Sequence, residues 1–458
     1  MLKKNFWSLI AGPLFAVTVA ANMSLSGWDS PACWTGAIVT LCVIWWIFEP
    51  IPIPATSIIP LAVFPLVGVL PKEEIAKAYG NEFILLMLGG FMISAAMAHS
   101  GAHRRLAMKL VQLIGGNSSR RIVLGFMCAC ALLSMWISNT ATALMMLPLA
   151  LAIIDQSKDK AIALPLLLSI AYGCSIGGIG TPIGTPPNLV FMQEYQAFTG
   201  RIVGFSQWMS WALPVVMLML PIAGLWLTRN LSYVGELTMP QPEAWRPEER
   251  RILIIFGITI LAWVTRVEPF GGWSTWFDFK GASDATVALI AVVVMFLIPN
   301  GRGGKLLVWE TAAKIPWGIL ILFAAGVSIA QAFIVTGMSK SIGENLAVLS
   351  NLHPLIIIAT ISLVVTFLTE ATSNTATAFL LMPILAPAAI AAGVDPSLLM
   401  VPAAMSASLA FMLPVATPPN AIVFGSGMVP ITHMVREGLV LNFIGITIIT
   451  LVCYFLIA

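Results

Sequence analysis

The chain has 458 residues, of which 59% are hydrophobic and only 9% charged, and its mean hydropathy is +0.95. A chain this apolar excludes a water-soluble domain, and a net charge of +3 with no basic, aromatic-interleaved segment excludes a nucleic-acid partner. Backbone groups in hydrocarbon must pair within helices or a closed barrel. The apolar runs here are continuous rather than alternating, so the expected fold is an all-α polytopic membrane protein.

Residues 1–24 form a first transmembrane helix. Lys3-Lys4 before an apolar run to Ala20-Ala21 has the outline of a secretory signal, but the segment is read as retained, because its loss would remove the first crossing. Spans follow at 33–48 and 52–70, separated by Glu49-Pro50, and a loop carries Lys72, Glu73, Glu74 and Lys77. A span at 82–98 leads into a basic segment from His99 to Arg121, which is expected to lie along the membrane interface. Trp45 and Trp46, near a span end, read as interfacial anchors.

The apolar stretch 122–154 is too long for one comfortable span and is broken by Ser138-Asn139-Thr140. With charge at both ends, Arg120-Arg121 and Asp155 to Lys160, it reads as a re-entrant hairpin. A broken helix at 161–192 follows, interrupted from Gly180 to Asn188, then a span at 207–228 and a charged cytoplasmic connection at 229–251 containing Glu243. Beyond it come spans at 252–267, 284–299 and 316–336, a second hairpin at 354–392 broken at Ser373-Asn374-Thr375, a broken helix at 397–430, and a last span at 438–457. The sum is about eleven spans and two hairpins.

The breaks repeat. Ser138-Asn139-Thr140-Ala141-Thr142-Ala143 returns as Ser373-Asn374-Thr375-Ala376-Thr377-Ala378, and Thr185-Pro186-Pro187-Asn188 returns as Thr417-Pro418-Pro419-Asn420. Ser138 and Ser373 are 235 residues apart, Asn188 and Asn420 are 232 apart, and Gly90 and Gly326 are 236 apart. This near-constant offset divides the chain into two repeats, 25–228 and 252–458, each with an odd number of crossings and therefore of inverted topology. Of the 23 basic residues, six (Lys72, Lys77, Arg201, Arg266, Lys280, Lys340) fall on one side, leaving 17 on the other. That bias puts the N-terminus in the cytoplasm and the C-terminus outside.

Unwound backbone at midplane survives only where protein, water or ligand satisfies it. Inverted repeats with broken helices place a secondary transporter's site where the breaks meet. Small polar side chains with freed carbonyls suit sodium, and helix N-termini suit carboxylates. Each hairpin has a hydroxyl four residues before its serine, Ser134 and Thr369, on the same helical face. One sodium cage is expected from Ser134, Ser138, Asn139 and backbone near Gly184, and a second from Thr369, Ser373, Asn374 and backbone near Ala416. An anion is expected between the tips, held by Asn139, Thr140, Ser373, Asn374 and Thr375, with Pro418 shaping the wall. Neither tip contains Lys or Arg, so hydroxyls, amides, helix ends and sodium must meet the negative charge.

Glu370 is an intramembrane carboxylate. A carboxylate facing a dianion would repel it, so a helix-packing role is expected, with proton coupling as the competing reading. His99 and His103 read as polar interfacial residues rather than a metal pair, and Cys128 and Cys130, like Met87, Met145, Met146 and Met405, as packing residues. Neither a nucleophile–base–acid constellation nor a phosphate-binding Gly-Lys loop is present. The expectation is neither an enzyme nor an ATP-driven pump.

The two Ser-Asn-Thr motifs at 138–140 and 373–375, with the Thr-Pro-Pro-Asn runs, resemble the signature of the divalent anion/sodium symporters, carriers of dicarboxylates, citrate and sulfate. The resemblance extends over essentially the whole chain. It implies a homodimer among membrane lipid whose transport part shifts across the membrane like an elevator, with two or more sodium ions as coupling ions and no organic cofactor. The proposed cages match the family's two sodium sites, and their completeness favours symport. The small side chains at the tips resemble those of carriers for C4-dicarboxylates such as succinate, fumarate and malate. A sodium-independent or proton-coupled dicarboxylate, citrate or tartrate exchanger and a sulfate symporter are the alternatives. Three sodium ions per dianion would leave one net charge, worth about 2.3 kcal/mol per 100 mV, whereas two would make transport electroneutral.

Overall fold

The computed structural model describes residues 2–115, 118–157, 160–231, 244–267, 271–279, 281–341 and 353–458. Lys158, Asp159, Glu243 and Lys280, the side chains of Lys3 and Lys4, and residues 232–243 of the connecting loop lie outside the described residues. Among the described residues the chain is helical, with one isolated bridge between Pro299 and Lys305.

Helices α1 (Leu2–Leu25) and α2 (Ser30–Phe48) are joined by a turn in which Asp29 accepts from the Ala32 N–H at 2.9 Å. Glu49 ends α2 in the left-handed region at φ 46°, and the prolines that follow prevent continuation. Next come α3 (Ile53–Leu66), α4 (Lys72–Tyr79), α5 (Glu82–Ser100) and α6 (Ala102–Gly115). The first hairpin is α7 (Ser119–Ser134) and α8 (Asn139–Gln156); the broken helix after it is α9 (Ala163–Gly178) and α10 (Pro186–Thr199). Then follow α11 (Phe205–Thr228), α12 (Pro247–Val264), the short α13 (Gly272–Trp276), α14 (Asp284–Leu297), the short α15 (Trp309–Ala312) and α16 (Trp317–Val335). The second hairpin is α17 (Pro354–Ala371) and α18 (Asn374–Ala391), the second broken helix α19 (Ser397–Ser408) and α20 (Pro418–Gly425), and the last helix α21 (Ile431–Ile457).

Ten of the described helices are long and apolar enough to cross a membrane, so the protein is a multi-pass membrane protein. The ten differ from the spans expected from sequence. They include hairpin arms such as Asn139–Gln156 and Asn374–Ala391, whereas the expected spans at 52–70, 284–299 and 397–430 contain the shorter helices Ile53–Leu66, Asp284–Leu297 and Ser397–Ser408. Prolines and polar breaks shorten these segments although the apolar run continues past them.

Two sets of packed helices can be traced, joined by contacts of α10 with α16 and of α6 with α5 and α12. In one, α1 lies on α2, α3 on α2 and α16, and α5 on α12 and α14. In the other, α9 takes α7, α8 and α20, while α19 takes α17, α18, α21 and α10. Residues 166–178 of α9 and all of α19 are buried on every side. A helix apolar all round belongs in the middle of a bundle, and here the two first halves of the broken helices fill that position. Gly177 permits the approach of α9 to α7, because a Cβ there would lie 2.1 Å from the Ala131 carbonyl oxygen.

Three surface readings are corrected. Trp46 is 2% exposed and donates its indole N–H to Ser57 Oγ at 3.1 Å, so it is a core residue rather than an interfacial anchor. It sits two residues before the end of α2, where α3 folds back over it. The expected loop at 72–77 is helical, with Lys77 3 residues beyond Glu74 and 2.6 Å from its carboxylate. The basic segment is not wholly interfacial. Arg105 is buried and pairs with Glu249 of α12 at 2.7 Å, and His103 is buried with Nδ1 donating to the Met97 carbonyl at 3.0 Å. Met87, Met146, Met405 and Cys130 are buried as packing residues.

At the start of α19, Asp395 receives the Ser397 N–H, the Tyr195 hydroxyl and Arg201. Partial burial raises its pKa, but the Ser397 hydroxyl and N–H, with Tyr195 and Arg201, outweigh this and hold the carboxyl below the usual aspartate range. A depressed folded-state pKa contributes stability at neutral pH that disappears as pH falls through it. Asp395→Asn is therefore expected to remove an acid-side component of thermal stability, seen by comparing melting curves at neutral and acid pH. Gly177→Val forces a branched side chain onto backbone and is expected to destabilise the protein by roughly 1–3 kcal/mol, read as a lower Tm in detergent.

Candidate functional site

The first hairpin turns at Met135 to Ser138, with Ser138 as the N-cap of α8, its hydroxyl accepting from the Ala141 N–H at 3.2 Å. Beneath the turn, the fully buried Ser134 hydroxyl donates to Asn139 Oδ1, and Thr181 Oγ1 donates to the Met135 carbonyl. The carbonyls of Gly178 and Met135 close on Gly184, whose added Cβ would lie 2.4 and 3.1 Å from them. Only glycine leaves this space free. The second hairpin repeats the arrangement. Thr369, also fully buried, has Oγ1 2.9 Å from both Asn374 Oδ1 and the Ala407 carbonyl, and the buried Ala416 lies in the neighbouring break.

The breaks are held by the asparagines that end the Thr-Pro-Pro-Asn runs. Asn188 Nδ2 donates to the carbonyls of Gly178 at 3.0 Å and Thr181 at 2.7 Å; Asn420 Nδ2 donates to those of Ala410 and Leu413, both at 3.0 Å. Acceptors ten and seven residues upstream are used in both copies. Each asparagine keeps a buried Oδ1 without a partner among the described residues. With the nearby hydroxyls and carbonyls, each break is rich in hard oxygen acceptors, the donor set that suits an alkali cation.

Glu370 faces away from both clusters. It is buried, and its carboxylate accepts from the N–H groups of Phe411 and Met412 at 2.8 and 2.9 Å, Leu413 at 3.0 Å, and Asn442 Nδ2 at 2.8 Å. Tyr172, from the first half, donates to the Phe411 carbonyl at 2.9 Å. The carboxylate thus pairs the donors freed where α19 unwinds.

A cavity of about 790 Å³ lies between the two hairpins. Ser138, Asn139, Thr140, Gly184, Ser373, Asn374, Thr375, Ala416 and Pro418 all line it. Ser134 and Thr369 lie behind the lining, beneath their asparagines. The N-termini of α8, α10, α18 and α20 all meet this space, bringing their positive dipole ends to it. The rest of the lining includes Ile47 of α2 and its C-cap Glu49, Phe91 and Ser94 from α5, and Lys314 and Pro316 before α16. Sequence reasoning did not assign Asn188, Asn420, Thr181, Lys314 or Glu49 to the site. The two asparagines were legible as repeated letters, but Lys314 and Glu49 belong to no motif.

Paired helix–turn–helix hairpins and paired broken helices around a shared cavity define a helical membrane transporter. The citrate transporter family model matches residues 43–400. The sodium-dependent dicarboxylate transporter SdcS of Staphylococcus saprophyticus is 38% identical over 98% of this chain and 91% of its own length, and SdcS of Staphylococcus aureus is 38% identical over 98% and 90%. The chain therefore belongs to the citrate transporter family, and the relationship inferred from the Ser-Asn-Thr motifs stands. It is a transporter and not an enzyme. The same fold occurs in the YdaH transporter of Alcanivorax borkumensis, with TM-score 0.62, 16% identity and coverage of 86% of this chain and 88% of that one. MtrF of Neisseria gonorrhoeae matches with TM-score 0.61, 14% identity and coverage of 85% and 83%.

Glu370→Ala would leave buried N–H groups unpaired in the α19–α20 break. It is expected to destabilise the protein by on the order of 3 kcal/mol, measured by thermal unfolding in detergent with the exposed Glu310→Ala as comparison.

Proposed function

We propose that the protein is a sodium-coupled symporter that brings a divalent organic anion, a C4-dicarboxylate such as succinate, fumarate or malate, into the cell. The carrying observation is the duplicated oxygen cluster at Ser134/Asn139 and Thr369/Asn374 beside one cavity whose hairpin tips bear no charge. One sodium ion sits with Ser134, Ser138, Asn139 and the backbone at Gly184, and another with Thr369, Ser373, Asn374 and the backbone at Ala416. The dianion lies between them on Asn139, Thr140, Ser373, Asn374 and Thr375, against Pro418. Two bound cations and four helix N-termini make the space favourable to a dianion, so anion affinity depends on prior sodium binding. The names of the SdcS relatives point to the same substrate class and coupling ion.

The two halves, 25–228 and 252–458, are inverted repeats joined by 229–251. The hairpins and broken helices move as one body against α1 to α5, α12, α14 and α16 in an elevator-like shift, as the family resemblance implies. The protein works as a homodimer in a plasma membrane with its N-terminus in the cytoplasm and C-terminus outside. In that orientation the end of α2 and the start of α16 are cytoplasmic, and the cavity reaching Glu49 and Pro316 describes an inward-facing state.

Purified protein in proteoliposomes is expected to accumulate labelled succinate under an inward sodium gradient but not with lithium or choline outside. Uptake that ignores sodium and needs internal substrate would replace symport with exchange. Asn139→Ala and Asn374→Ala are each expected to raise the half-activating sodium concentration by on the order of tenfold or more, measured from sodium titrations of initial rates.

A further inference from the structure

We propose that Lys314 is a second anion-binding residue, a capture point for the dianion in the part of the cavity lining outside the hairpin tips, filled as the anion passes between the open mouth and the central site. The inference rests on the reading of this cavity as a dianion site. The cavity, at about 790 Å³, is within the range that encloses a drug-sized ligand and far exceeds what one four-carbon dianion fills. Among the described residues that line it Glu49 and Lys314 alone are ionisable, so Lys314 is the one described lining cation that an entering anion meets.

Its placement is built into the fold. Lys314 stands between α15 and α16, with the buried Ile315 anchoring the link on one side and the Ala313 carbonyl taking the Trp317 indole N–H at 2.9 Å. Pro316, next in the wall, is the N-cap of the 19-residue α16 and offers no side-chain cap, so the positive end of that helix adds to the ammonium. Lys314 is exposed and makes neither an ion pair nor a side-chain hydrogen bond among the described residues; the same holds for Glu49. Glu49 is held in the left-handed region, where a non-glycine residue is strained, so the position of this acidic group is set by the end of α2.

Two opposite charges sharing a cavity without pairing have opposite effects on an anion. Lys314 attracts and holds it, and Glu49 limits how tightly it is held, so that the cavity loads without trapping. Because both lie at the mouth open in this state, the effect belongs to one face of the membrane.

The test measures initial rates in proteoliposomes of defined orientation for wild type, Lys314→Gln, Lys314→Arg and Glu49→Gln. From the side facing Lys314, K314Q is expected to raise the half-saturating succinate concentration about tenfold, with K314R near wild type and E49Q shifted the opposite way. The sodium half-activation should not move. The wild-type rate should fall between about 0.01 and 0.15 M salt, as the screening length drops from about 30 to about 8 Å, and K314Q should lose most of that dependence. Equal shifts from both faces, or K314Q and E49Q changing maximal rate in the same direction with unchanged half-saturation, would overturn the assignment in favour of a closing ion pair. Wild-type protein that moves no dicarboxylate under any cation gradient would overturn the transport reading itself, whereas normal wild-type transport with an unchanged K314Q would overturn only the role of Lys314.

Discussion

The structure depends on satisfying the backbone where its helices stop in the middle of a buried bundle. Each interruption frees carbonyls and N–H groups, and those that are buried are costly to leave unpaired. The protein answers with side chains. Asn188 and Asn420 cross-link the carbonyls of their own breaks, and Glu370 gathers the N–H groups of Phe411, Met412 and Leu413. These contacts leave a limited set of oxygens over, and the leftover oxygens have the chemistry of the site.

The same constraint accounts for the division of labour among polar residues. Ser134 and Thr369 are fully buried and tied to Asn139 and Asn374, while Ser138, Thr140, Ser373 and Thr375 face the cavity. Charge is kept away from the tips. Glu370 is turned into the bundle, Arg229 pairs with Glu437 at 2.8 Å near one end, and Arg266 with Asp284 at 2.6 Å near another. A fixed cation at the tips would hold an anion whether or not sodium was present; dipoles and hydroxyls leave the balance to mobile ions.

Much of this was legible in sequence because it depends on local rules. Hydrophobic run length placed most helices, proline and glycine marked the breaks, and two copies of one polar hexamer pointed to the residues that line a single cavity. The readings that failed were about neighbours. Trp46 looked like an anchor because it ends an apolar run, yet α3 covers it; Arg105 looked solvated because it stands in a basic segment, yet Glu249 meets it 144 positions later in the numbering.

The sequence by itself determined that the chain lies in a membrane, where its helices are interrupted, and that the interruptions come in matched pairs, since these follow from composition and spacing along one strand of letters. Only the tertiary structure decided which hairpin arm packs on which broken helix, that Glu370 holds the unwound backbone at 411–413, and that Lys314 and Glu49 share a cavity with the hairpin tips. Those facts depend on distances between residues far apart in the chain. Packing sets such distances, and no local periodicity encodes them.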